Sequence, residues 1–260
     1  MKFPFYTNSI LSIGLLPGPS NMASCKKIWY IKTEMTKKRP ISITEIIDEL
    51  EERGLLDFSQ KIADLQEYNE MQRRFFNNVV DIFEKPLPKE VERRLASIVS
   101  LAEIKSTSTV LDVGTGTGAV IPYILKYKPK EIIACDLSLK MLEKLKEKYP
   151  EVKTYQADVK DLPLPDASID IAFFNAVWPN IGDKPSALKN LYRMFRKGGK
   201  IVISHPEGRL FVSKLKDSVP FPLNHLPDFY EIDAFLKNFS FVIKKYIDKE
   251  KLYFVLAEKE

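Results

Sequence analysis

Cysteine is nearly absent: Cys25 and Cys135 are the only two among 260 residues. Two thiols so far apart make neither a disulfide framework nor a thiolate metal site. Cys135 falls inside the apolar run E-I-I-A-C-D, where a thiol packs as a small hydrophobe. No apolar run approaches the roughly 20 residues of a membrane-spanning helix. Internal repeats and low-complexity tracts are missing, and no RNA-binding signature accompanies the basic residues. The formal net charge is only +5. Lys144, Lys146 and Lys148 alternate with Glu143 and Glu147, which describes a solvated helix face rather than a nucleic-acid surface. With 45% hydrophobic and 29% charged residues, the chain has the composition of a soluble globular protein. Its length suits one large α/β domain with a helical extension.

Glycine is scarce as well, ten in all, yet three fall within five residues: Gly114, Gly116 and Gly118. They belong to T-V-L-D-V-G-T-G-T-G-A-V at 109–120. This segment reads as a short apolar strand ending in an acid, then a glycine-rich turn that opens a helix. Such a turn lets a ligand approach the main chain, and the helix N-terminus offers it unpaired N–H groups. The pattern is the nucleotide-cofactor fingerprint of a doubly wound α/β fold. Gly114-x-Gly116-x-x-Ala119 also satisfies the dinucleotide form, so an NAD-dependent oxidoreductase is one reading. Against it, Asp112 places a carboxylate two residues before the first glycine, where a pyrophosphate would be repelled. A cofactor carrying an ammonium and a sulfonium would accept that charge.

The D-x-G-x-G-x-G form of Asp112, Gly114, Gly116 and Gly118 resembles the first motif of the class I S-adenosylmethionine-dependent methyltransferases. A second strand at 131–136 ends in Asp136, about twenty residues past the turn, where an acid typically accepts both hydrogens of a ribose diol. The alternative for Asp136 is an N-cap of the helix expected at 138–148. The run Q-A-D-V-K-D-L-P-L-P-D-A-S-I-D from Gln156 to Asp170 is similar to that of small-molecule methyltransferases, including those of quinone biosynthesis, with Ile169 where Phe is usual. Pro163 and Pro165 make it a loop rimming the site. Asp170 is expected to be structural at the start of the strand at 169–175.

The resemblance implies S-adenosyl-L-methionine as cofactor. It implies contacts from Asp112, Gly114, Thr115, Gly116 and Gly118 in the turn, and from Asp136 and Leu137 after the second strand. It further implies that Asp158 reaches the adenine amino group, that the Val159 N–H reaches a ring nitrogen, and that Asn175 lies near the methionine part. Asn175-Ala176-Val177-Trp178 lacks the N-P-P-Y of methyltransferases acting on bases or glutamine, which argues against nucleobase or amide nitrogen as acceptor. Arg196-Lys197-Gly198-Gly199-Lys200 and His205-Pro206-Glu207-Gly208-Arg209 also resemble the family.

The fold so implied is a doubly wound seven-stranded sheet, mostly parallel with an antiparallel last strand, over 106–260, preceded by a helical cap over 41–105. Helices are expected at 61–83 and 89–101, with Tyr68, Phe75 and Phe76 either lining a lid or packing in the core. Ser42-x-x-Glu45 forms a capping-box pattern, followed by Ile43, Ile46, Ile47 and Leu50 at helical spacing and stopped by Gly54. A helix at 188–196 is expected to end at Lys197-Gly198-Gly199, with a strand at 200–204. A helix at 230–239 and strands at 241–247 and 252–257, joined by 248–251, complete the pattern. The first acid is Glu34, while Lys2, Lys26, Lys27 and Lys32 precede it. This start resembles an organellar transit peptide, plastid ahead of mitochondrion; a plain disordered tail on a cytoplasmic protein is the alternative.

His205 is the candidate general base, since it follows a strand at the edge where ligands bind; its other reading is a residue that shapes the turn before Pro206. His225 is expected at the surface, Arg209 to pair with an anionic acceptor or to cap a helix, and Trp178 to wall the acceptor pocket or to pack beneath its loop. The expected function is methyl transfer to a small molecule. A cofactor-binding module without turnover, acting as an assembly or regulatory partner, is the alternative. The sequence names neither the acceptor nor the oligomeric state.

Overall fold

Seven strands form one sheet: β1 (Thr109–Val113), β2 (Glu131–Asp136), β3 (Lys153–Gln156), β4 (Ile169–Asn175), β5 (Phe195–His205), β6 (Phe241–Lys249) and β7 (Leu252–Lys259). The computed structural model describes residues 45, 49, 52–53, 64–216 and 218–260. The basic N-terminal segment lies outside them, as does the 41–54 helix apart from the helical Glu45, Glu49 and Glu52.

The strand order is β3-β2-β1-β4-β5-β7-β6. β1 to β5 pair in parallel, and β7 runs antiparallel between β5 and β6. Successive connections leave β1 in opposite directions, so a crevice opens at the carboxyl ends of β1 and β4, the place where such sheets bind ligands. Helices cover both faces, and this explains why the central parallel strands are largely apolar, whereas β3 at the sheet edge is K-T-Y-Q with no buried residue. All five residues of β1 are buried; Val110 enters one core, Leu111 and Val113 the other.

The helices lying wholly within the described residues are α1 (Leu65–Asn78), α2 (Val80–Phe83), α3 (Lys89–Ser100), α4 (Ile121–Leu125), α5 (Leu139–Lys148), α6 (Lys184–Met194), α7 (Gly208–Leu215) and α8 (Phe229–Lys237). α3 shows how the sequence builds them. Val91, Leu95, Ile98 and Val99 recur at helical spacing and are all buried. At about 1.5–3 kcal/mol for each fully buried side chain, that stripe outweighs any propensity term. Among the described residues no helix is long and apolar enough to cross a membrane.

Several boundaries differ from those expected. The helix read at 61–83 is two, because Val79 leaves helical geometry at φ −114°, ψ 14°; Asn77, Asn78, Val79 and Val80 are all weak helix formers. The helix read at 188–196 ends at Met194 and β5 starts at once. Gly198, with φ +73°, does not cap the helix. It serves an irregular strand start in which the pairing jumps from Ile169↔Phe195 to Ile171↔Lys200. The closing hairpin has only Glu250 and Lys251 between its strands, not four residues. α7 was not expected at all. Asp170 is structural as expected: its carboxylate accepts from the Thr109 N–H at 2.7 Å and from Arg196 at 2.6 Å, fastening β1 and β5 to β4.

Candidate active site

Each strand at the crevice ends in a carboxylate or an amide: Asp112 within β1, Asp136 closing β2, Asp158 just past β3 and Asn175 closing β4. The acids converge. Asp136 contributes to raising the Asp112 carboxyl, and all three acids help to hold the buried Cys135 thiol above its ordinary range, burial being the larger cause.

Asp112 is buried and accepts a 2.6 Å hydrogen bond from the Thr115 hydroxyl. Loss of solvent dominates, and its carboxyl is pushed up to about 7. Asp136 takes the Gly116 N–H on Oδ2 at 2.9 Å and the Ser138 N–H on Oδ1 at 2.8 Å; burial raises it too. The cap of α5 is Ser138 itself, whose hydroxyl accepts from the Met141 N–H, so Asp136 is not the N-cap. A carboxylate has about four lone-pair sites. The main-chain donors, with Leu137 among them, leave accepting capacity on Asp136 that suits a vicinal diol.

The glycine turn departs from expectation in one respect. The helix after it begins only at Ile121 and has five residues, and three turn amides are already used. The N–H groups of Thr115, Gly116 and Gly118 donate to Cys135 O, Asp136 Oδ2 and Thr115 O. The turn therefore presents carboxylates where a pyrophosphate would need donors. Gly116, at φ +54°, has nothing within 4 Å of an added Cβ, and this is the open side. Gly114, at φ +60°, is closed: a Cβ there would lie 2.2 Å from Val177 Cγ2. Gly114→Ala is expected to cost about 2–5 kcal/mol, combining left-handed strain with overpacking. In thermal unfolding, Val177→Ala in the same chain should recover only the overpacking part.

Asp158 caps a single 3₁₀ turn, Val159–Asp161, accepting from the Lys160 N–H at 3.1 Å. Its Oδ2 accepts from Asn69 Nδ2 at 2.8 Å. Val159 is buried, and the Leu137 carbonyl accepts from Gln156 Nε2. Asn175 accepts from the Ser204 hydroxyl at 3.1 Å, which joins the ends of β4 and β5.

The acceptor-side candidates resolve differently. His205 is buried with its ring against Phe211, and its Nδ1 accepts the Glu207 N–H at 3.2 Å. That bond leaves the ring proton on Nε2. Burial lowers the pKa to about 4, so at neutral pH His205 is an uncharged donor whose basic lone pair is committed to the turn. The geometry is that of the turn-shaping role rather than of a base. Trp178 is 1% exposed and packs edge-on to Phe174 and Phe235, beneath the loop. Arg209 straps Leu226 O and Asp248. His225 is exposed beside Glu231. Tyr68, Phe75 and Phe76 pack around Phe221 with centroids 5.5–6.2 Å apart, tying α1 to the proline-rich loop as core.

Two features went unread in the sequence. Lys184, at the start of α6, donates to Ile181 O and lies over the Trp178 ring at 5.8 Å; burial lowers it to about 8. A perturbed cation beside a ligand edge is a functional candidate, but nothing in its sequence context marks it. The second is a polar row on α1: Asn69, Gln72 and Asn77 bond Asp158, Asn180 and Ser138, one in each loop after β3, β4 and β2. A polar stripe on an amphipathic helix reads as solvated, so only the fold reveals it.

This sheet order, with its single antiparallel strand and its row of strand-end acids, defines the class I methyltransferase fold. Residues 111–203 match the family described as a methyltransferase domain. An uncharacterized methyltransferase of Schizosaccharomyces pombe is 35% identical over 38% of this chain and 39% of its own length. A malonyl-[acyl-carrier protein] O-methyltransferase of Serratia marcescens is 36% identical over 36% and 37%. The chain thus spans under half the length of the curated relatives it matches. Among solved structures, a SAM-dependent methyltransferase from Aquifex aeolicus superposes with a TM-score of 0.59 at 20% identity, covering 71% of this chain and 98% of that one; this likeness concerns the fold.

Proposed function

We propose that the chain is an S-adenosylmethionine-dependent methyltransferase acting on a small molecule whose accepting oxygen is already nucleophilic, such as a carboxylate. The observation that carries the reading is the turn at 114–118. Three of its amides are spent internally and its neighbours are acids, which suits a phosphate-free cofactor bearing cationic and hydroxyl groups and disfavours NAD.

The bound cofactor would supply an electrophilic methyl group. The chain's residues bind and orient: Asp136 for the ribose diol, Asp158 for the adenine amino group, Asp112 for the positive end, with Gly116 leaving room. Methyl transfer is an in-line displacement that positioning alone can accelerate. A carboxylate acceptor requires no base, which agrees with a His205 whose lone pair is already engaged, and curated relatives are named as O-methyltransferases. The helices before β1 would act as a cap over the cofactor.

Conversion of S-adenosylmethionine to S-adenosylhomocysteine in the presence of each of a panel of carboxylate, hydroxyl and amine acceptors, malonyl thioesters included, tests the reading. Turnover is expected with carboxylates first. Binding of the cofactor without turnover on any acceptor would favour a cofactor-binding module. Failure to bind S-adenosylmethionine or S-adenosylhomocysteine would sink the proposal altogether.

A further inference from the structure

We propose that Asn69, on the helix preceding the sheet, reads the adenine amino group together with Asp158 and so sets the chain's preference for adenine. The inference rests on the cofactor assignment above and deepens it. Asn69 Nδ2 donates to Asp158 Oδ2 at 2.8 Å while the Lys160 N–H holds Oδ1 at 3.1 Å. The carboxylate is thereby fixed in rotation with a lone pair left on each oxygen. The amide oxygen of Asn69 has no hydrogen-bond partner among the described residues, although the residue is partly buried. An exocyclic amine has two hydrogens; Asp158 accepts one and Asn69 Oδ1 the other.

The surroundings hold Asn69 in place for this. One turn away, Gln72 and Asn180 exchange paired amide bonds, Nε2 to O at 3.0 Å and Nδ2 to Oε1 at 3.0 Å. Tyr68 is buried beside it and donates its hydroxyl to Pro222 O at 2.9 Å. Asn69 therefore sits on an anchored helix, with its amide group directed at the loop after β3. A 6-oxo base would set an acceptor oxygen against the carboxylate and the amide oxygen together, and a site built to donate or accept in one sense rejects such an exchange.

The test compares S-adenosylhomocysteine with S-inosylhomocysteine, in which oxygen replaces the adenine amino group, by calorimetric titration. Asn69→Leu should weaken S-adenosylhomocysteine by roughly tenfold or more and S-inosylhomocysteine by less than about threefold, so that the ratio of the two dissociation constants collapses. Asn77→Leu, which removes the contact to Ser138 from the same helix, should leave that ratio unchanged. Asn69→Ala is read the same way should the leucine variant not fold. Equal weakening of both ligands by Asn69→Leu would mean that the residue only anchors the helix, and no weakening would mean that it reads nothing; either overturns the inference. A wild-type protein that binds neither ligand would instead overturn the cofactor assignment, and this proposal with it.

Discussion

Asp136→Ala is expected to weaken S-adenosylmethionine binding by about 10²- to 10⁴-fold. Two charge-assisted hydrogen bonds to the ribose diol would be lost, at roughly 1.5–3 kcal/mol each. Part of the loss comes from the protein itself, because the Gly116 and Ser138 amides both rely on this carboxylate. Asp136→Asn separates the two contributions: it keeps an acceptor for one amide and removes the charge. Calorimetry on both variants, with thermal unfolding as control for the turn, checks the prediction. A change under about fivefold in the alanine variant would remove Asp136 from the site.

Cofactor affinity should also rise with pH between about 5.5 and 7.5, because Asp112 must lose its proton to face a cationic ligand. Its carboxyl titrates near 7 in the free protein, against roughly 3.9 in an unfolded chain. Below 7 the apparent dissociation constant should therefore grow by up to about tenfold per pH unit, and binding near pH 6 should release close to one proton. The sign for stability is opposite. Between about pH 4 and 7 the folded protein holds a proton that the unfolded chain has lost, so this group's contribution falls as pH rises through that window. Titrations in two buffers of different ionisation enthalpy count the proton. Asp112→Asn should abolish both the release and the slope; a pH-independent affinity in the wild type would exclude contact between Asp112 and the cofactor's charge.

The parts of the fold written into sequence are those under local constraint. β2 and β4 fall at the expected residues, because an apolar run that ends in an acid or an asparagine defines both limits. Asp170 could be placed because it opens a strand. Where long-range pairing decides, the sequence is silent. Nothing near Phe195 announces that it continues directly from Met194 into the sheet, since its partner Ile169 is 26 residues earlier. α7 opens on Gly208, whose absent Cβ makes room for the Glu250 carbonyl, 2.4 Å from where that atom would lie, a contact with a turn 42 residues on. In the site, the strand-end acids were legible as residues and as positions. Their electrostatics were not: the same Asp type is fully withdrawn from water at 112 and partly exposed at 158. His205 illustrates the gap most clearly, for its chemistry turns on a single backbone N–H two residues away.

The antiparallel strand has a temporal consequence. β7 is the last strand along the chain, yet it pairs with β5 on one side and β6 on the other. While the ribosome is still making residues 252–259, β5 presents an unpaired edge and β6 has no partner in the sheet. A row of open main-chain donors and acceptors of that kind templates association with other chains. Sheet closure therefore waits on the emergence of Leu252–Lys259, and nascent chains are most exposed to mispairing just before it.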